Sequence, residues 1–142
     1  MALLLTRADV EAALPMAECI ASQEHAFREH GLGTAQTPHR LGLKVPEQDG
    51  LYIAMPAYLQ NIPLSDQDQI GAMAVKVLTF YPSNPARLGR PAIVATVLLH
   101  DPHTGTLLAI MDEPRLQAYA PLPAAPWPPN IWRERMLRQW GF

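Results

Sequence analysis

The chain has 142 residues, of which 49% are hydrophobic and 17% charged, with a formal net charge of −2 at pH 7. This length is sufficient for one domain with a core, and the charge lacks the basic excess typical of nucleic-acid binding. No apolar run is long enough to cross a bilayer, and the apolar start, Met1 to Leu5, lacks the basic residues of a signal peptide. We therefore expect a cytoplasmic globular protein that binds neither nucleic acid nor membrane.

The first residues predict a short strand followed by two helices. Ala2 to Leu5 is the strand, and Thr6, with an acidic residue three positions later, has the pattern of a capped helix start. Pro15 suits the first turn of a second helix, which Gly31 and Gly33 are expected to end. One face of this helix carries an apolar stripe that we expect to be buried. The stripe consists of Met16, Cys19, Ile20, Ala26 and Phe27.

Extended segments dominate the middle of the chain. His39 to Val45 and Leu51 to Met55 are predicted to pair as a hairpin that Pro56 ends, and Gln60 to Gln69 is expected to be a surface loop. Three further apolar runs, each bounded by turn residues, are predicted strands: Met73 to Phe80, Ala92 to His100 and Thr106 to Met111. The sequence thus predicts an α+β fold with two amino-terminal helices packed on a mixed, largely antiparallel sheet of about six strands.

Five sequence blocks resemble the amino-terminal part of the ornithine cyclodeaminase and mu-crystallin family. They are T-R-A-D-V-E, T-P-H-R-L, Y-I-A-M-P-A-Y-L, A-V-K-V-L-T-F-Y-P-S-N-P-A-R-L-G-R-P and L-L-H-D-P-H-T-G-T-L-L-A-I-M-D, in family order from about Leu3 to Tyr119. The resemblance implies that residues 1–119 form a substrate-binding and dimerisation domain. It further implies a homodimer, a small amino-acid or imino-acid substrate, and NAD or NADP held by a Rossmann domain that follows in the family.

Two basic residues in these blocks are the candidate site residues. The resemblance implies that Arg40 and Lys76 bind the substrate and that Lys76 is also catalytic. Independently, an arginine can hold a carboxylate by two parallel hydrogen bonds, and a lysine partly desolvated among Val75, Val77 and Leu78 suits proton transfer. Without the family blocks, the common alternative is a surface arginine and an edge-strand lysine whose charge stays in water.

Other candidate sites have weaker support. The segment Ser83-Asn84-Pro85 resembles a family turn near the active site, but Asn before Pro is also ordinary turn chemistry. The five histidines lack the spacing of a metal site, so no metal is expected. No Ser-His-Asp or Cys-His arrangement typical of nucleophilic catalysis stands out.

Two features depart from the family pattern. The 142 residues contain no glycine-rich dinucleotide motif, so we expect neither a Rossmann domain nor a bound cofactor in this chain. Residues 120–142 also differ in composition, since residues 121 to 129 hold five of the fifteen prolines. Restoring one nucleotide after the codon of Tyr119 permits a reading that resembles the next family helix. We therefore interpret residues 120–142 as out of frame and poorly ordered, and a natural proline-rich tail is the alternative.

The sequence therefore predicts a truncated family member that is inactive as this chain. The parent activity would be NAD(P)-dependent cyclodeamination of an amino acid or reduction of an imine. The alternative function is a non-catalytic module that dimerises through its sheet or binds small carboxylates.

Overall fold

The computed structural model describes residues 1–63 and 69–112. The helices and strands, in chain order, are β1 (Leu3–Leu5), α1 (Arg7–Ala13), α2 (Met16–Leu32), β2 (Ala35–Gln36), β3 (Leu41–Val45), β4 (Gly50–Pro63), β5 (Gln69–Phe80), α3 (Asn84–Leu88), β6 (Ile93–His100) and β7 (Leu107–Asp112). A 3-10 turn, Pro46–Gln48, connects β3 to β4. The predicted boundary at residue 119 and the tail that follows it lie outside the described residues.

The strands of the described part form one sheet. Its order is β1-β7-β6-β5-β4-β2, and β3 also pairs with β4. β1 runs parallel to β7, and the other pairs are antiparallel. The α+β class and the mixed, largely antiparallel sheet are confirmed, with seven strands instead of about six. The additional strand is β2, which has only two residues and no clear pattern in the sequence.

The hairpin of β4 and β5 is longer than predicted. The prediction of a loop over Gln60–Gln69 is wrong at both ends, because β4 continues to Pro63 and β5 begins where the loop was expected to end. Pro56 does not end β4, because it lies between the stretch that pairs with β3 and the stretch that pairs with β2. At that point β4 has a neighbour on one side only, an edge position where a strand tolerates proline. A register shift between Leu59 and Ile62 follows it.

Both amino-terminal helices begin at the predicted signals. At the start of α1, the Thr6 main-chain N–H donates to the Asp9 carboxylate at 2.9 Å, and the Asp9 main-chain N–H donates to Thr6 Oγ1 at 3.4 Å. This reciprocal pair is a capping box. Pro15 precedes the first residue of α2, and Gly33, with φ 77°, ends it in the left-handed conformation. These local signals therefore mark both helix starts and the end at Gly33, whereas the prediction that Gly31 also ends the helix is wrong, because Gly31 lies inside α2.

The predicted burial of the α2 stripe is wrong. Met16, Ile20 and Phe27 are exposed, and the buried residue of this helix is Glu29. The reason is the position of α2, which contacts the sheet mainly at β2 and β4, along one edge. An apolar stripe is buried only where another element covers it, and the described residues leave most of this one uncovered.

The two faces of the sheet differ. Side chains directly opposite each other in an antiparallel pair share a face. By this rule Lys76, Ala95 and Ala109 share one side, which we call the lysine face. Ala95 and Ala109 are the buried hydrophobic residues of the described part, and no large side chain there is fully buried. No helix among the described residues is long and apolar enough to cross a membrane.

Candidate functional site

Lys76 of β5 and Arg40, the residue directly before β3, align across the sheet. Lys76 lies in β5, half-buried, directly opposite Met55 of β4. On the other side of β4, Leu41 pairs with Ala54, so the residue before Leu41, Arg40, comes opposite Met55 when the register is extended by one residue. Arg40, Met55 and Lys76 therefore follow one another across the lysine face. We call these three residues the basic row.

The spacing of the basic row suits a small ligand. Neighbouring strands lie about 4.8 Å apart, so the backbones at Arg40 and Lys76 are separated by about 10 Å, with Met55 between them. Both side chains are long and flexible, and Arg40 is exposed whereas Lys76 is half-buried. The register of β3, extended by one residue, thus aligns the two predicted residues on one sheet face. Their role as a substrate site stays a prediction.

The surroundings of Lys76 are apolar through Leu78, as the sequence indicated, but not through the two valines. Val75 and Val77 point to the opposite face, because successive side chains of a strand alternate. On the lysine face, the neighbours of Lys76 along β5 are Ala74 and Leu78, and the next strand presents Val97. An anion beside Lys76 would therefore interact in a medium less polar than water, which strengthens the attraction.

A cleft of about 310 Å³ lies at the end of β5. Its lining residues are Gln48, Thr79, Tyr81, Ser83, Asn84, Arg87 and Leu88. Thr79 is an odd number of residues from Lys76 along β5, so the cleft opens on the face opposite the basic row. Sequence reasoning considered only the segment from Ser83 and favoured a local turn, whereas the structure forms α3 there. The other lining residues had no detectable signal, because the chain brings them together from three elements.

The titratable groups with displaced pKa values lie outside both features. The Thr6 hydroxyl, together with the Thr6 main-chain N–H, lowers the pKa of Asp9. The main-chain N–H of His103 lowers the pKa of Asp101, against a smaller opposing effect of desolvation. Both carboxylates stabilise turns of the backbone and serve the fold. Among the described residues, no group of three or more His, Cys, Asp and Glu could hold a metal ion.

Residues 1–121 match the sequence profile of the ornithine cyclodeaminase/mu-crystallin family. Among curated proteins, the alanine dehydrogenase of Archaeoglobus fulgidus is 36% identical over 110 residues, which cover 78% of this chain and 30% of that protein. The family match, over residues 1–121, includes Arg40, Lys76 and the segment of the cleft.

Two solved structures resemble the fold. The Δ1-pyrroline-2-carboxylate reductase of Thermococcus litoralis, in complex with NADH and L-proline, is 40% identical with a TM-score of 0.69, over 82% of this chain and 33% of that chain. An archaeal alanine dehydrogenase dimer with bound NAD is 35% identical with a TM-score of 0.66, over 78% of this chain and 31% of that chain. The chain thus spans about a third of the length of the relatives that it matches.

Proposed function

This chain belongs to the ornithine cyclodeaminase/mu-crystallin family, and we propose that its described residues form a domain that binds the carboxylate of a small amino acid or imino acid through Arg40 and Lys76. The support for this proposal is the basic row, in which the register of β3 on β4, extended by one residue, aligns two cations of different chemistry on one sheet face. The relatives support the substrate class, because alanine and L-proline are both small α-carboxylates.

The two cations have different tasks in this proposal. Arg40 donates two parallel hydrogen bonds to the carboxylate oxygens and so fixes the plane of the carboxylate. Lys76 attracts the same carboxylate from the other side of Met55. At 4 Å this attraction is about 4 kcal/mol near a protein surface, compared with about 1 kcal/mol in bulk water. Lys76 is also the catalytic candidate, because its ammonium can hold a proton close to the substrate nitrogen.

A nicotinamide cofactor would supply the hydride chemistry of cyclodeamination or imine reduction. Among the described residues, no strand leads through a glycine-rich turn into a helix, so these residues do not fit a dinucleotide. The glycines with positive φ are Gly33, Gly89 and Gly105, and they end α2, end α3 and close the β6–β7 turn. We therefore expect the 142-residue polypeptide to bind carboxylates without turnover. Titration with NADH, followed by nicotinamide fluorescence, tests this: binding at micromolar concentration would contradict it.

The carboxylate site is tested by calorimetric titration of the chain with L-proline and with pyrrolidine, which lacks the carboxylate. L-Proline is expected to bind, and Arg40→Gln or Lys76→Met to weaken it about tenfold, which corresponds to the loss of one charge-assisted hydrogen bond. Lys44→Met is the matched control, because Lys44 lies on the same face of β3, opposite Leu51 and outside the basic row. Equal binding of pyrrolidine, or an equal loss in Lys44→Met, would overturn the site.

A separate observation, an exposed apolar patch on the sheet, supports a second function, which is dimerisation through the sheet. The face opposite Lys76 carries an apolar patch of Leu41, Leu43, Tyr52 and Val94, which are 66%, 56%, 38% and 53% exposed. We propose that a second copy of the chain covers this outer patch, and the dimeric archaeal relative supports the proposal. In light scattering, Leu43→Glu should give a monomer, while Leu32→Glu, at an exposed leucine of α2, should not. A monomeric unmodified chain would contradict it.

We also propose that residues 120–142 are translated out of frame, because the composition changes after Tyr119. The test is the coding DNA. One restored nucleotide after the Tyr119 codon should reopen a reading that continues the family sequence. If no such frame exists downstream, the tail is a natural proline-rich segment.

A further inference from the structure

The cleft at the end of β5 is built from three separate elements. Gln48 comes from the 3-10 turn, Thr79 from the end of β5, Tyr81 and Ser83 from the segment between β5 and α3, and the remaining lining residues from α3. Its volume of about 310 Å³ is at the lower end of the range for small-molecule sites. A cleft of this size can hold a small metabolite.

Tyr81 is held rigidly as one wall of the cleft. Its main-chain N–H donates to the Ala92 carbonyl at 2.7 Å, and its own carbonyl accepts from the Asn84 N–H at 3.1 Å. Its ring lies against the backbone of Gly50, where an added Cβ would be 2.5 Å from Tyr81 Cε1. Gly50 follows the 3-10 turn that carries Gln48, so the ring joins two walls of the cleft. A site whose walls are fixed before binding loses less entropy when a ligand enters.

The lining has hydrogen-bond donors and one charge, which is positive. Hydroxyls come from Thr79, Tyr81 and Ser83, and the charge comes from Arg87. Arg87 takes no part in the ion pairs Arg7–Asp112 and Arg28–Glu24. Glu47 and Asp49 flank Gln48 along the chain but do not line the cleft.

Asn84 contributes in a different way. Its amide Nδ2 donates to the Pro91 carbonyl at 3.5 Å, which ties the start of α3 to the residues that lead into β6. The amide therefore helps to hold the loop that presents Arg87, and Arg87 itself stays on the exposed side of α3. A guanidinium beside several hydroxyls suits an oxyanion, because all of these groups can donate hydrogen bonds to it.

We propose that this cleft binds a small molecule through an oxyanion group, a carboxylate or a phosphate, held by Arg87 and the adjacent hydroxyls. The site is separate from the basic row, which lies on the other face of the sheet, and it does not depend on the function proposed for Arg40 and Lys76. It adjoins the outer patch, since Thr79 pairs with Tyr52 and Val94. The oxyanion would therefore bind at the rim of that patch.

The test is a nuclear magnetic resonance titration of the full chain with inorganic phosphate, malonate and sodium chloride at equal ionic strength. Phosphate or malonate should shift the amide signals of residues 79–90. The ligand that binds more tightly shows whether the cleft prefers a phosphate or a carboxylate. Arg87→Gln should weaken this binding at least tenfold, and Arg87→Lys should weaken it less, because the charge remains without the fork. Arg90→Gln is the matched control on the same loop, outside the lining, and should bind as the unmodified chain does.

The outcomes separate this site from the basic row. Lys76→Met should leave the signals of residues 79–90 responsive to the oxyanion, and Arg87→Gln should leave unchanged the part of L-proline binding that Lys76→Met weakens. Equal shifts with chloride, equal losses in Arg87→Gln and Arg90→Gln, or shifts spread over every basic residue would overturn the proposal. Thermal melting of each variant checks that the chain is folded.

Discussion

The ring of Tyr81 occupies the space where a side chain at Gly50 would stand. An ideal Cβ on Gly50 would lie 2.5 Å from Tyr81 Cε1 and 2.7 Å from Cζ, closer than side-chain atoms approach each other. Gly50 is the first residue of β4 and is buried. The glycine is therefore required by the close approach of an aromatic ring and not by an unusual backbone angle.

Gly50→Ala should destabilise the chain by about 1–3 kcal/mol, the usual cost of forcing extra volume into a packed site. Gly42→Ala is the matched control, because Gly42 lies in the adjacent strand with nothing within 4 Å of an added Cβ. Urea denaturation of both variants measures the difference. In a Tyr81→Ala background, Gly50→Ala should cost much less, and an unchanged cost there would show that the ring is not the cause.

Two glycines at the end of α2 should respond to alanine with opposite signs. Gly31 lies within the helix, so Gly31→Ala should stabilise the chain by up to about 1 kcal/mol. Gly33 has φ 77°, a conformation that alanine adopts at a cost of about 1 kcal/mol. Neither position has an atom within 4 Å of an added Cβ, so packing does not contribute. Thermal denaturation of the two variants checks the prediction, and a shift of the same sign in both would contradict it.

Local signals in the sequence were sufficient for most element bounds. Thr6 with Asp9 and the glycine at position 33 mark helix ends through contacts within a few residues, and the structure has both. The turn from Asp101 to Gly105 closes the β6–β7 hairpin through another local contact, with the Gly105 N–H donating to the Asp101 carbonyl at 2.8 Å. These features depend on backbone geometry that the residues themselves determine.

The features that sequence reasoning missed depend on contacts between distant segments. The stripe on α2 has the period of a buried face, but burial requires a covering element, which the described residues do not provide for Phe27. The face of Lys76 follows from alternation, whereas its alignment with Arg40 needs the register of β3 on β4. The cleft beside Tyr81 forms only because the 3-10 turn and α3 lie close together in the fold, and no local sequence pattern predicts this proximity.

Glu29 joins α2 to β4 through a buried polar cluster. Its carboxylate accepts a hydrogen bond from the Thr34 hydroxyl at 2.6 Å and one from the Asn61 amide at 3.3 Å. The His25 ring donates from Nε2 to the main-chain carbonyl of Asn61 at 2.6 Å, next to the register shift in β4. These contacts replace the apolar packing that the sequence had indicated for this helix.

Glu29→Ala should therefore cost about 1–3 kcal/mol, because it removes the carboxylate that accepts from the Asn61 amide and leaves the Thr34 hydroxyl only the main-chain carbonyl of residue 29, at 2.9 Å. Glu29→Gln retains one acceptor oxygen and should cost less. Glu24→Ala is the control, since Glu24 pairs with Arg28 on the exposed side of the same helix and such pairs contribute little. Urea denaturation gives the free energies of unfolding, and equal losses at positions 24 and 29 would contradict the role of the cluster.

Asp101 should make the stability of the chain depend on pH in the acid range. Its carboxylate accepts from the His103 N–H at 2.7 Å and the Thr104 N–H at 3.3 Å, and the first of these contacts is the main cause that lowers its pKa. A carboxyl group with a lowered pKa in the folded state stabilises that state fully above its ordinary pKa of about 3.9. This stabilisation is lost as the pH falls from the ordinary pKa through the lower pKa that Asp101 has in the folded state.

The stability difference between the unmodified chain and Asp101→Asn should therefore be constant from pH 7 to about pH 5 and shrink below about pH 4. Asparagine keeps one acceptor oxygen but no charge, so the difference isolates the ionised form. Urea midpoints at several pH values measure it, and the carboxyl carbon shift of Asp101 follows its titration directly. A difference that stays the same down to pH 2.5, or a carboxyl group that titrates above pH 4, would show that the turn does not favour the carboxylate. Thr104→Val, which removes a hydroxyl but keeps the main-chain donors, should leave the pH dependence in place.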